Sequence, residues 1–381
     1  MVIGPMLSEL PVAPALQDLI GAIESFKHGK FAIVSRPFPS LINSRKNGPL
    51  FIVLPQIPTY HGKHRVLKWW NYLSRYVVAQ AIVCVRFLVM ARDYEILIFQ
   101  LSEPIPVAIL ARAMKKPTIY YLGGSGLKSM LAKAKNSFRI LAYLVDLIQT
   151  LMVALSSFVV APSWNTIEEA GFRRQARKTR ICSLYVDLKA FGVLKPFVPR
   201  ESYVGFVGRL EEEKGFRQFL EAVPLVREER RDIRFVVCGR GRLQELLKEQ
   251  ARDQEIEFLG LVPNDNMPGV MNRLKLLVVP SFTEGFGRVI LEAMACGTPV
   301  LATRVEGVKA LITEGETGFL IDTNDPSVIA RKILSLMSSP QSLQLVSIEA
   351  RRFIENTFTF DKRADSWKRV LLEAHVERYG K

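Results

Sequence analysis

Short runs of β-branched and aromatic residues recur along this chain at intervals long enough for a helix, and the whole series occurs twice. The first set is 31–34, 51–54, 96–99, 118–121, 158–161 and 181–184; the second is 203–207, 234–238, 256–259, 276–279, 300–302 and 318–321. Apolar runs of this kind, alternating with helical segments, suit parallel strands covered on both faces. A length of 381 residues also exceeds what one ordinary core fills. The expected fold class is therefore α/β, with two Rossmann-like doubly wound parallel-sheet domains at 1–198 and 199–362. The stretch 196–201, with two prolines and no periodicity, reads as their linker. Ligands of such sheets sit outside the carboxyl ends of the strands, so two domains facing a central cleft would place two substrates on opposite walls.

Charge divides unevenly. Residues 1–200 carry 26 Lys and Arg against 10 Asp and Glu, whereas residues 201–381 carry 26 against 27. The net charge of +15 thus belongs to the first half, which is expected to face an anion such as a phosphorylated acceptor or a membrane surface. No nucleic-acid-binding motif is present, so nucleic acid is not an expected partner. Cys84, Cys182, Cys238 and Cys296 lie apart in apolar runs and read as core residues of a reducing compartment. The N-terminus has no basic segment ahead of its first apolar stretch, and Glu9 and Asp18 interrupt that stretch, which points to a cytoplasmic protein. Two long apolar stretches, 76–91 and 140–161, contain Arg86 and Asp146 and read as buried helices rather than membrane spans. The segment 61–76 mixes Lys63, Arg65, Lys68 and Arg75 with Trp69, Trp70 and Tyr72. That mixture suits a helix lying on a membrane interface and equally a solvated basic helix with its aromatics packed inward.

The strongest local signal runs from Ser281 to Val300. A strand ends at Pro280, Gly285 and Gly287 follow, and an apolar helix extends to about Cys296, where Gly297 is placed to end it. Glycines at a helix N-terminus let backbone amides approach an anion, and the helix dipole favours negative charge there. Glu284 stands beside those amides, and Glu292 follows two helical turns later, where a carboxylate can accept hydrogen bonds from hydroxyls. A surface or capping acid is the plainer reading of Glu292. Directly after the first strand of the second series comes Gly208-Arg209-Leu210-Glu211-Glu212-Glu213-Lys214-Gly215. Arg209 can fork onto phosphate oxygens and Lys214 can add a point charge.

With these motifs the second half resembles the donor domain of family 4 retaining glycosyltransferases, the glycosyl transferases group 1 of the GT-B fold. Glu284 and Glu292 match the family's glutamate pair, and 208–215 its Gly-Arg-Leu…Glu-Lys-Gly segment. The flanking 279–281, 297–300 and 315–320 match as well, so that the resemblance covers about 202–323. It implies a nucleotide diphosphate sugar, UDP- or GDP-linked, as donor. Arg209 and Lys214 would hold the diphosphate, Glu284 the sugar hydroxyls near the reacting carbon, and Glu292 the ribose. Gly208 opens the phosphate loop, the amides of Gly285, Phe286 and Gly287 would meet sugar and phosphate, and Gly239 and Gly241 fall in the loop near the nucleotide. Base contacts would lie near 259–262. The resemblance also implies retention of anomeric configuration without a metal cofactor, and a final helix at about 363–381 that packs back on the first domain. The sequence has four histidines, His28, His61, His64 and His375, and no acid and histidine cluster at metal-ligand spacing.

The first domain departs from the family pattern. Its opening strand and loop, with Arg36, lack the usual glycine pair. Where many members carry a histidine after the strand at 118–121, this chain has Leu122-Gly123-Gly124-Ser125-Gly126. Arg36, Gly123, Gly124 and Ser125 are the acceptor-side candidates; the glycine loop offers amides and a hydroxyl to a sugar or phosphate, and also reads as an ordinary strand-to-helix turn. A lipid phosphate or lipid-linked glycan is the favoured acceptor, with the protein peripheral on the cytoplasmic membrane face. The other readings are a glycosidase using Glu284 and Glu292 as its paired carboxyls and a non-enzymatic anion- or membrane-binding paralogue.

Overall fold

The computed structural model describes residues 31–35, 50–53, parts of 78–92, 93–100, 104–123, 139–198, 200–244 and 255–379. These form two compact units. One contains the described residues up to Cys182 together with those from Arg363 onward, and the other is Ser183–Lys362.

In the first unit, strands β1 (Phe31–Ser35), β2 (Leu50–Val53), β3 (Ile96–Gln100), β4 (Thr118–Tyr121), β5 (Phe158–Ala161) and β6 (Thr179–Ile181) form one sheet in the order β2-β1-β3-β4-β5-β6. Every pairing is parallel. Helix α1 (Ile105–Ala113) joins β3 to β4, α2 (Arg139–Leu155) leads into β5, and α3 (Trp164–Glu169) leaves it. Ser163 caps α3, its hydroxyl accepting from the Thr166 amide. The apolar stretch 140–161 is thus α2 followed by β5, and no helix among the described residues is long and apolar enough to cross a membrane.

The second unit repeats the plan. Strands β7 (Tyr203–Val207), β8 (Arg234–Cys238), β9 (Ile256–Gly260), β10 (Leu276–Val279), β11 (Val300–Thr303) and β12 (Phe319–Ile321) lie in the order β12-β11-β10-β7-β8-β9, again all parallel. Its helices are α4 (Phe216–Glu229), α5 (Met267–Arg273), α6 (Arg288–Ala295), α7 (Glu306–Lys309), α8 (Pro326–Met337) and α9 (Pro340–Thr357). Successive strand residues point to opposite faces, and both faces are covered. Phe235 and Val237 of β8, with Leu276 and Val278 of β10, enter one core; Val236, Cys238, Leu277 and Val279 enter the other. This is why the strands read as unbroken apolar runs.

Two boundaries differ from the sequence expectation. Residues 183–198, assigned from sequence to the first domain, pack with the second unit. Val186 and Phe191 are buried in its core, and the Leu194 amide donates to Asn272 Oδ1 at 2.8 Å. Arg200, only 6% exposed, fastens the linker by donating to Thr298 Oγ1 at 2.8 Å and to the Cys296 and Leu274 carbonyls at 2.8 and 3.1 Å. The sixth strand, expected at 181–184, is Thr179–Ile181, because its pairing with Val159–Ala161 ends there. The last helix, α10 (Phe360–Tyr379), belongs to the first unit from Arg363 on. Its Trp367 is fully buried and stacks on Tyr121 of β4, with ring centroids 6.2 Å apart.

Candidate functional site

The second sheet has a topological switch point between β7 and β10. From β7 the chain moves outward through β8 and β9, then returns across β7 to build β10, β11 and β12 on the other side. The connections after β7 and β10 consequently lead to opposite sides of the switch point, and the carboxyl ends of these two strands are where open α/β sheets bind ligands. A cavity of about 280 Å³ lies there, floored by Phe206, Val207, Val278 and Val279. Its polar wall is Gly208 and Lys214 from the first loop, Ser281 and Glu284 from the second, and Arg288 and Glu292 from α6.

Lys214 ends a single 3-10 turn, Glu212–Lys214, that Gly215 terminates in the left-handed region at φ +68°. A Cβ on Gly215 would lie 1.8 Å from the Pro280 carbonyl oxygen, so only glycine lets the two loops close on each other. The closure brings Lys214 Nζ to 2.7 Å from Glu284 Oε2, to which the Ser281 hydroxyl also donates at 3.3 Å. On its other side Glu284 rests against α7. A Cβ on Gly307 would stand 1.9 Å from the Glu284 carbonyl oxygen.

Gly287, at φ +71°, precedes α6. The first amides of a helix have no intrahelical acceptor, and Arg288 and Val289, which carry them here, both line the cavity. Phe286 points away into the core, edge-on to Phe358 with centroids 5.8 Å apart, and thereby anchors the turn. Glu292 is 9% exposed and accepts from Arg288 Nε at 3.1 Å. Burial pushes its carboxyl above the usual carboxylate range, and the Arg288 guanidinium opposes that shift.

Of the sequence candidates, Glu284, Glu292, Lys214 and Gly208 therefore meet in one cavity, with Gly285, Phe286 and Gly287 forming the turn beside it. Arg209 is not among the lining residues; its side chain is 56% exposed and pairs with Glu213 at 3.0 Å. Gly239 and Gly241 serve packing. A Cβ on Gly239 would fall 1.8 Å from the Gly208 carbonyl oxygen, and one on Gly241 2.2 Å from that of Leu210. The Gly208 amide already donates to the Cys238 carbonyl at 3.0 Å. In the stretch expected near a base, Leu261 is 68% exposed. On the first unit Gly123 follows β4 with room for a side chain, while Arg36, Gly124, Ser125 and the basic aromatic segment 61–76 lie outside the described residues. Among the described residues no three of His, Cys, Asp and Glu are grouped as a metal site.

Sequence reasoning did not single out Ser281, Arg288 or Gly307. Arg288 was visible as the residue four before Glu292 on the same helix face, but Gly307 depends on a tertiary approach with no local signature.

Residues 195–359 match the family described as glycosyl transferases group 1. A D-inositol 3-phosphate glycosyltransferase of Corynebacterium jeikeium is 39% identical over 139 residues, 34% of this chain and 33% of that protein. A glycogen synthase of Mycobacterium tuberculosis is 29% identical over 188 residues, 47% of this chain and 45% of that one. The chain spans between about a third and a half of the length of the curated relatives it matches. Anabaena Alr3699/HepE, solved in complex with UDP and glucose, has a TM-score of 0.67 at 20% identity, covering 91% of this chain and 100% of that one. The family match thus covers 165 of the 381 residues, and that segment is set in a GT-B fold of two parallel α/β units.

Proposed function

We propose that this protein is a retaining, metal-independent glycosyltransferase that moves a sugar from a UDP- or GDP-linked donor to a phosphorylated or lipid-linked acceptor. The observation that carries the reading is the placement of Lys214, Glu284 and Glu292 around the N-terminus of α6 at the switch point of the second sheet. Glycosyl transfer develops positive charge on the sugar and negative charge on the departing diphosphate, so cations and amides already in place stabilise the leaving group. Lys214 and the first amides of α6 supply them, and Arg209, free to swing from Glu213, adds a bidentate donor from the rim.

Glu284 holds Lys214 in an ion pair. When a diphosphate enters, the ammonium transfers to phosphate oxygens and the Glu284 carboxylate is released to accept from sugar hydroxyls. Glu292 accepts from the ribose. No enzymic nucleophile is required in this scheme, since the donor phosphate can take the acceptor proton on the same face. The acceptor proposal rests on the basic first half and on the Trp69-Trp70 segment, and places the protein peripherally on the cytoplasmic face of a membrane. The relatives' names widen the acceptor class to inositol phosphates and glucans.

A thermal-shift screen of UDP- and GDP-sugars, followed by transfer assays, tests the reading, because a specific ligand stabilises the native state. One nucleotide class should raise the melting temperature and support transfer, and Glu284→Ala should abolish transfer in a folded protein. Undiminished transfer by Glu284→Ala and Lys214→Ala would reject this site. Flotation with anionic liposomes, absent with neutral ones, would support the membrane arm; binding to neither would remove it.

A further inference from the structure

Arg288 opens α6, at the end of the helix where the dipole disfavours a cation, and it precedes its glutamate, the weaker order for a pair four residues apart. Helix stability therefore does not account for an arginine at this position. What the arginine does reach is Glu292, a carboxylate that is 9% exposed and that lines the same cavity. We propose that Arg288 is a positioning residue, whose Nε bond to Glu292 Oε1 holds that carboxylate facing the cavity as a double acceptor for the vicinal diol of a nucleotide ribose. The inference rests on the donor reading above and assigns the recognition of the ribose to the pair rather than to Glu292 alone.

The chemistry is one of donor and acceptor matching. A ribose diol offers two hydroxyl protons. An ionised carboxylate accepts both and still has a lone pair for Arg288, whereas a protonated one presents a donor where an acceptor is needed. Burial favours the protonated form, and Arg288 is the cation that opposes it. Lys214 in the cavity wall, and the arginines that bear on Cys296 one turn beyond Glu292, have partners of their own. Lys214 pairs with Glu284, Arg200 donates to the Cys296 carbonyl, and Arg351 donates to the Ala295 and Phe191 carbonyls. The Cys296 thiol, pushed up to about 12 by burial, stays neutral and adds no second negative charge beside Glu292. Without Arg288 nothing in this pair opposes the effect of burial, so Glu292 takes up its proton at a higher pH than in the parent protein and the diol loses its partner.

The test measures binding of UDP and GDP, each beside its 2′,3′-dideoxy counterpart, to the full chain and to Arg288→Met and Arg288→Lys between about pH 5.5 and 8.5. For the nucleotide that the parent protein binds, Arg288→Met should weaken affinity about ten- to a hundred-fold at the acidic end of that range. That loss should shrink as pH rises, Arg288→Lys should retain part of the affinity, and the dideoxy counterpart should bind parent and variant alike. An equal loss at every pH that is shared by the dideoxy ligand, as direct contact of Arg288 with phosphate would produce, overturns the proposal. Binding of neither nucleotide by the parent protein would instead overturn the donor reading on which it rests.

Discussion

Lys214 and Glu284 are each other's neutralising partner, with side chains only 21% and 12% exposed. Removing either leaves a largely desolvated charge, so truncating Lys214 differs in kind from truncating Arg209. Lys214→Ala loses the diphosphate cation and also leaves Glu284 uncompensated; its transfer rate is expected to fall about 10²- to 10³-fold, the range seen when one preorganised donor to a developing anion is lost. Arg209→Ala, by contrast, breaks a pair whose arginine is 56% exposed, and exposed pairs contribute at most about 1 kcal/mol. Its melting temperature should match the parent's in a thermal scan while donor affinity drops. Glu292 gives a pH signature. Burial holds its folded value above that of an ordinary carboxylate, so, with the ionised form as the proposed binder of the ribose, donor affinity should hold at alkaline pH and begin to fall at a higher pH than an unperturbed glutamate would give. Glu284 and Lys214 were legible because polar residues beside glycines after a strand have few structural reasons to be there, whereas Glu292, inside α6, was picked out by the family resemblance. Arg288 escaped notice because an arginine on a helix surface ordinarily needs no explanation.

At the level of elements, the site depends on loops pressed together closely enough to exclude a methyl group. Gly215 against Pro280 and Gly307 against Glu284 are the two approaches that set the Lys214–Glu284 geometry. Gly307→Ala should push the Glu284 loop outward. The expected result is a folded protein, destabilised by about 1–3 kcal/mol, with donor affinity lost more severely than stability when titration is compared with urea unfolding. Gly215→Ala adds the strain of φ +68° to the same kind of clash and should be the worse of the two. Strands and their alternation with helices were readable from the apolar runs, since parallel strands buried on both faces leave an unbroken pattern. The close approaches were not. Gly239 and Gly241 announce themselves as glycines, yet that they accommodate the backbone of Gly208 and Leu210 follows only from the β7–β8 pairing. The misplaced end of the first domain has a similar origin: beyond the strand expected at 181–184 the stretch to 198 carries no strand or helix pattern, and its membership is decided by long-range bonds to Asn272 and by burial of Phe191.

Across the whole molecule, one unit is continuous in sequence and the other is closed by a segment returning from the far end of the chain. The returning segment is most of α10. Trp367, Val370, Leu371 and Ala374 are all buried, and the Trp367 ring lies on Tyr121, immediately before Leu122 and Gly123. Arg180 adds a bond to Glu373 at 2.7 Å, and Arg363 reaches the Cys182 carbonyl at 3.5 Å. The second unit contains the complete set of cavity-lining residues and none of these groups. Stability of the first unit should therefore be separable from donor binding. Replacing a fully buried tryptophan with alanine costs about 3–5 kcal/mol, and the loss is local to the core it leaves. Trp367→Ala is expected to lower the unfolding midpoint of the first unit while a nucleotide still binds and still raises the midpoint of the second. Urea unfolding followed by near-UV absorption of the tryptophans and by nucleotide titration reads the two events separately. If Trp367→Ala removes nucleotide binding together with the first transition, the donor site depends on the first unit, and the residues that line the cavity are not sufficient to form it.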